Sequence, residues 1–125
     1  MNKLALLMVL GLPGMLAPGG ATAQQVRLLV QSSPLAGFGF HQAAQVWERM
    51  RSGDALLLER EPDNVHDPKA IRVLWQGTML GYVPRRENAA VAWAMDRGET
   101  LSARISRLQA HANPRKRVEF EVFVE

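Results

Sequence analysis

A chain of 125 residues with no cysteine and a formal net charge of +3 has room for one small domain and no covalent staple to hold it. The missing thiols exclude a disulfide framework, a thiolate metal site and a cysteine nucleophile, so the fold must be held by packing alone. The charge surplus is too small to argue a nucleic-acid partner by itself. However, only Lys3, Lys69 and Lys116 among the basic residues are lysines, and arginine favours planar, bidentate contact with carboxylates or phosphates.

Residues 1–23 read as a signal peptide. Lys3 supplies the positive region, Leu4 to Leu16 the apolar region, and Ala21-Thr22-Ala23 the small residues before a cleavage site at Gln24. The apolar run is shorter than the roughly 20 residues that span a bilayer, and Pro13 and Gly14 interrupt it. The expected product is residues 24–125, exported to the periplasm or secreted, with no membrane attachment after cleavage.

Gln25 to Gln31 is a predicted strand, ended by the turn signal Ser32-Ser33-Pro34. Gly37-Phe38-Gly39-Phe40-His41 marks a close backbone approach or a bulge, with at least one of the two Phe rings closing the end of a barrel. Gln42 to Arg51 predicts a short helix or a single turn, with Ala44, Val46, Trp47 and Met50 on one face. Ala55 to Glu61 is the next strand. It enters a polar loop in which Pro62 stops the strand, Asn64 tolerates a left-handed conformation, and Asp67 accepts a backbone N–H just beyond Pro68.

Ala70 to Leu80 reads as a hairpin turning at Gln76-Gly77, continued by Gly81-Tyr82-Val83-Pro84. Pro84 to Arg97 is the predicted packed helix, with Gly98 at C′, a core stripe of Val91, Ala94 and Met95, and Trp93 on the opposite side. Leu101 to Gln109 follows as a strand with Leu101, Ala103, Ile105 and Arg107 on one parity. Val118 to Val124 alternates cleanly as the last. About six strands and one helix predict a mainly β (α+β) domain.

No Gly-x-Ser-x-Gly elbow, Gly-rich phosphate loop or paired histidines at metal-ligand spacing is present. Glu59, Glu61, Asp63 and Asp67 gather near His66, but without the glycine of a Ca²⁺ loop; Arg60, Lys69 and Arg72 are their expected partners. No catalytic residue, metal or cofactor is therefore expected. Arginine and lysine cluster at Arg85-Arg86, at Arg104 and Arg107, and at Arg115-Lys116-Arg117, and a helix start beside arginines is able to hold a phosphate.

Arg60-Glu61-Pro62-x-Asn64-x-x-Asp67-x-x-Ala70-Ile71-x-Val73, followed by Leu80-Gly81-Tyr82-Val83-Pro84-Arg85 and a helix, closely resembles the HIRAN domain over about Val26 to Glu125. The resemblance implies a small OB-like or SH3-like β-barrel with one packed helix. It also implies a non-enzymatic module that binds single-stranded DNA with a free 3′ end, and a monomer is expected. Carried over by position, Asp67 takes the terminal hydroxyl, Asn64 shapes that contact, Phe40 stacks a base, His66 stands at an aromatic position, and Tyr82 and Arg85 border the backbone. Gly39 stands where the DNA-end binders carry an arginine. Two alternatives accompany this reading. One is an exported envelope module that binds protein or glycan, with Trp93 as a protein contact. The weaker one is a metal-dependent hydrolase of phosphoester or acid anhydride bonds built on the acidic cluster.

Overall fold

The computed structural model describes residues 26–125; the expected leader, residues 1–23, lies outside them. Six strands form one antiparallel sheet: β1 (Leu28–Pro34), β2 (Ala55–Arg60), β3 (Ile71–Trp75), β4 (Thr78–Tyr82), β5 (Leu101–Leu108) and β6 (Val118–Val124), in the spatial order β1-β6-β5-β2-β3-β4. A short helix α1 (Ala43–Val46) follows β1, and a longer one, α2 (Ala89–Asp96), joins β4 to β5. The mainly β architecture with one packed helix agrees with the expectation from sequence.

The alternation in β6 buries Val118, Phe120 and Val122 against Ala103 and Ile105 of β5, and Leu56, Leu58, Ile71 and Val73 extend the same core. Phe38 seals one end, 4% exposed, whereas Phe40 stands 88% exposed. The β3–β4 hairpin turns at Gln76 and Gly77, both at positive φ (46° and 80°), the geometry whose twist matches the flanking strands.

The sheet does not close into a continuous barrel. Its edge strands, β1 and β4, meet at one point just past β1, where Ala36 and Tyr82 exchange two backbone hydrogen bonds of 2.9 Å. Leu35 still bonds to Val118 of β6, so two consecutive residues step from one edge of the sheet to the other. The step requires Gly81: a Cβ there would collide with the Ala36 carbonyl oxygen and press on the Leu35 side chain.

Four elements differ from the sequence expectation. In α1 Ala43 joins Val46 in the core, and Ala44, expected on that face, is exposed. The first strand runs later, through Ser32-Ser33-Pro34, because the buried Ser33 hydroxyl is satisfied by donating to Glu87 Oε1 (2.7 Å) and accepting from Gln31 Nε2 (2.9 Å). Side-chain bonding thus pulls an apparent turn into the ladder. The predicted helix from Pro84 is split into a 3₁₀ turn (Arg85–Glu87) and α2, since Glu87 is tied to Ser33 and Asn88 turns its amide away from the helix start. In β5 a register shift between Ile105 and Arg107 breaks the parity, so Arg107 faces solvent while Ala103 and Ile105 are buried.

Gly81→Ala is expected to lower stability by about 1–3 kcal/mol, the range for forcing extra atoms into a packed site. Gly39→Ala, where a Cβ meets nothing within 4 Å, leaves it unchanged. Urea denaturation measures both, and a wild-type midpoint for Gly81→Ala would contradict the close approach.

Candidate functional site

The loop between β2 and β3 is organised by Asn64. Its Oδ1 accepts from the backbone N–H of His66 (2.8 Å) and Asp67 (3.1 Å), while its Nδ2 donates to Glu61 Oε1 (2.7 Å). This side chain folds the turn from inside, which is why a short polar residue stands there. Tyr82 reaches across from β4 and donates its hydroxyl to the same Glu61 oxygen (2.8 Å), and the Arg72 guanidinium lies 3.6 Å from Glu61 Oε2. The Asn64 hydrogen bond does most to hold the Glu61 carboxyl below its usual range; burial opposes it, and Tyr82, Arg72 and His41 reinforce it. Burial and the Glu61 carboxylate together push the Tyr82 phenol up, so it stays protonated as the donor.

Asp67 joins this loop to α2. Its Oδ1 accepts the Lys69 N–H (3.0 Å), the bond beyond Pro68 foreseen from sequence, and its Oδ2 accepts the Asn88 amide (2.8 Å). Asn88 is 2% exposed and heads α2 without capping it by its side chain, so its amide serves Asp67 instead. Burial pushes the Asp67 carboxyl up, but the Asn88 and Lys69 donors and the charges of Arg85 and Lys69 outweigh it and leave the group below its usual range. Each oxygen accepts one bond, and a carboxylate offers about four lone-pair sites, so Asp67 has capacity for further donors.

Beside this network runs a groove of about 520 Å³ walled by three segments: Pro34–Phe40, Pro84–Glu87 and Asn113–Arg115. Phe40, Arg85, Arg86 and Arg115 line it, and Glu87, also at its wall, is occupied by the Ser33 hydroxyl.

The six residues singled out from sequence thus fall into groups. Phe40 and Arg85 line the groove; Asn64, Asp67 and Tyr82 build the adjoining network; Arg85 connects the two through its charge at Asp67. His66 is exposed at the loop tip, held by its backbone N–H, and is not among the groove's lining residues. Arg60, expected to neutralise the loop acids, instead pairs with Asp96 of α2 (2.9 Å) and donates to the Ala70 carbonyl. Sequence reasoning did not name Asn88, and it noted Arg115 only within the basic run Arg115-Lys116-Arg117, without joining it to the site residues. Asn88 lay inside the helix predicted from Pro84, and Arg115 had no position until β5 and β6 were paired.

Among the described residues no group of three or more His, Asp or Glu is placed to hold a metal ion. Trp93 stands 55% exposed on α2, opposite the fully buried Val91.

The depressed carboxylates make stability pH-dependent in a fixed direction. Because their folded pKa lies below the unfolded value of about 4, the stability they contribute is complete above that value and is lost as pH falls through the folded pKa. Glu61→Gln and Asp67→Asn are therefore expected to be less stable than wild type at pH 7 and to lose less on acidification below about pH 4. Thermal melts across that range check this, and parallel curves for wild type and both variants would contradict it.

The HIRAN domain family matches residues 28–125. Over 73 residues the chain is 36% identical to a Fanconi-associated nuclease 1 homolog of Oryza sativa subsp. japonica; the match takes in 55% of this chain and 7% of the rice protein's length. Among solved structures, a protein from Lactobacillus plantarum superposes with a TM-score of 0.68 at 27% identity, over 79% of this chain and 95% of that one. The HIRAN domain of human HLTF superposes with a TM-score of 0.58 over 78% of this chain and 77% of that one; at 16% identity the likeness shows the fold alone. The family match runs through both edge strands, the Asn64–Asp67 loop and all three walls of the groove, and on that extent the chain belongs to the HIRAN domain family.

Proposed function

We propose that the chain is a nucleic-acid-binding module without catalytic activity, which holds single-stranded DNA by a free 3′ end in the groove between Phe40, Arg85 and Arg115. A concentration of uncommitted charge carries this reading. Arg27, Arg60, Arg72, Arg97 and Arg104 are each paired with an acid. Arg85, Arg86 and Arg115, all three at the groove, have no acidic partner within 4.0 Å among the described residues. Arg49, Arg51, Arg107 and Arg117 also lack an acidic partner among the described residues, but Arg51, Arg107 and Arg117 donate to nearby oxygens and Arg49 lies over the Trp75 ring. Free guanidiniums beside an exposed ring are what a phosphate backbone and a stacking base require.

The strand's terminus is assigned to Asp67, which stands within reach of Arg85's charge and keeps acceptor capacity for a hydroxyl. A phosphate in place of that hydroxyl would face the carboxylate with like charge. Glu61 and Asp67 already accept from Asn64, Tyr82, Lys69 and Asn88, which supports binding over proton transfer. Trp93 supports a second, separate surface for a protein partner, as in the envelope reading. The proposal includes export of residues 24–125, and the amino terminus of protein recovered from the periplasm or the medium tests it: a start at Gln24 supports it, and a retained Met1 would overturn it.

Fluorescence titrations at two salt concentrations, with free and 3′-blocked single strands, test the groove. Wild type is expected to prefer the free end, and Asp67→Asn to lose the preference. Arg115→Ala weakens every strand and flattens the salt dependence by about 0.7 in log–log slope, the value for one phosphate contact on a single strand. Gly39→Arg, filling open space at the groove wall, strengthens binding and steepens that slope by a similar amount. No binding at low salt would defeat the proposal, and equal binding of both strands would remove the 3′-end preference.

A further inference from the structure

We infer that the pocket between α1 and the β5–β6 connection is a second ring-binding subsite, which takes another base of the same strand; this rests on the groove reading above. The pocket has a volume of about 260 Å³ and is lined by Phe38, Ala44, Trp47, Ala110, His111 and Arg117. Sites for drug-sized ligands occupy roughly 300–1,000 Å³, so this one suits a single heterocycle with its sugar.

Its position continues the groove, because Phe38 is a wall of both. Trp47 meets the Phe38 ring edge-on (5.8 Å, 79°), and the Arg117 guanidinium lies 5.0 Å over that ring. Phe38 is buried with its face and edge taken by Arg117 and Trp47, so the rings left to a ligand are those of Trp47 and His111 beside the Arg117 cation. That is the chemistry that accepts a flat base joined to a phosphate without reading its sequence.

The turn from Ala110 to Arg117 is built to serve both sites. His111 Nδ1 accepts the Asn113 N–H (2.9 Å), which fixes the imidazole at the second pocket. Asn113 Oδ1 accepts the Arg115 N–H (3.0 Å), which fixes the arginine at the first. Arg117 Nε donates to the His111 carbonyl (2.7 Å), and Gln109 clamps the turn from outside through Lys116 O (3.0 Å). One ordered turn thus places a cation at one pocket and a ring at the next, the alternation of a nucleic-acid strand.

Anisotropy titrations of the full chain with 5′-labelled oligothymidylates of increasing length test this, using His111→Asn, which removes the ring and keeps an acceptor for the Asn113 N–H, and Ala44→Trp to fill the pocket. Both variants are expected to bind the shortest strands as wild type does, which also shows that they fold, and to lose about five-fold or more on the longer ones, the worth of one stacked base. Losses equal at every length, or none at any length, would overturn the second subsite. If short strands bind and Arg115→Ala weakens them while neither pocket variant affects long strands, the groove stands and the subsite falls. If no strand binds wild type, the groove reading falls and takes this inference with it.

Discussion

The fold depends on a contact between two backbones. Where Ala36 and Tyr82 exchange hydrogen bonds, the two edges of the sheet are joined, and Gly81 permits it by carrying no side chain. Unpaired edges are otherwise open to other chains, so the join protects the sheet as well as shaping it. It also sets the geometry of function. The segments leaving this point, Gly37–Phe40 on one side and Pro84–Glu87 on the other, are the facing walls of the groove, and their separation follows from the bond between their roots. A groove made this way is pre-formed, with little ordering cost to meet on binding.

The Asn64 loop is a second rigid body hung on the same strand end. Tyr82 contributes its backbone to the edge join and its hydroxyl to Glu61, so one residue of β4 locks the sheet and the loop together. Asn88 completes the arrangement from α2 through Asp67. Two carboxylates close to an anion-binding groove look counterproductive, yet both are bonded and partly screened by arginine: Glu61 by Arg72 and Asp67 by Arg85. Their part is to fix the loop and, at Asp67, to favour a neutral hydroxyl over a phosphate.

The sequence disclosed what depends on local pattern. The alternation of β6, the Gln76-Gly77 turn, the backbone lock of Asp67 and the exposure of Trp93 were all readable, because each follows from spacing or from a residue's own bonding capacity. What depended on partners far along the chain was not. Ser32-Ser33-Pro34 looks like a turn until Glu87, distant in sequence, supplies the acceptor for Ser33. Arg107 seems inward by parity until the β5–β6 register slips beside it. Arg60 lies among the loop's acids in sequence, yet its side chain pairs with Asp96 of α2. Of the candidate site, the residue types were legible and the grouping was not: His66 matched a motif position but sits apart, and Arg115 reached the groove only through a strand pairing.

Net charge is a poor guide to this surface, and the reason is local. A surplus of +3 over the whole chain creates little field, and most of the paired arginines contribute to structure alone. What matters is which guanidiniums the fold leaves without an acid. Beside the groove the nearest acid at the wall, Glu87, is withdrawn by the Ser33 hydroxyl, and Asp67 is withdrawn by Asn88 and the loop backbone. Those bonds hold the two carboxylates in place without removing their charge, so the positive character of the site comes from Arg85, Arg86 and Arg115 outnumbering them. The same hydrogen bonds that pulled β1 past its apparent turn and split the helix after Pro84 are the ones that leave Arg85 and Arg86 free.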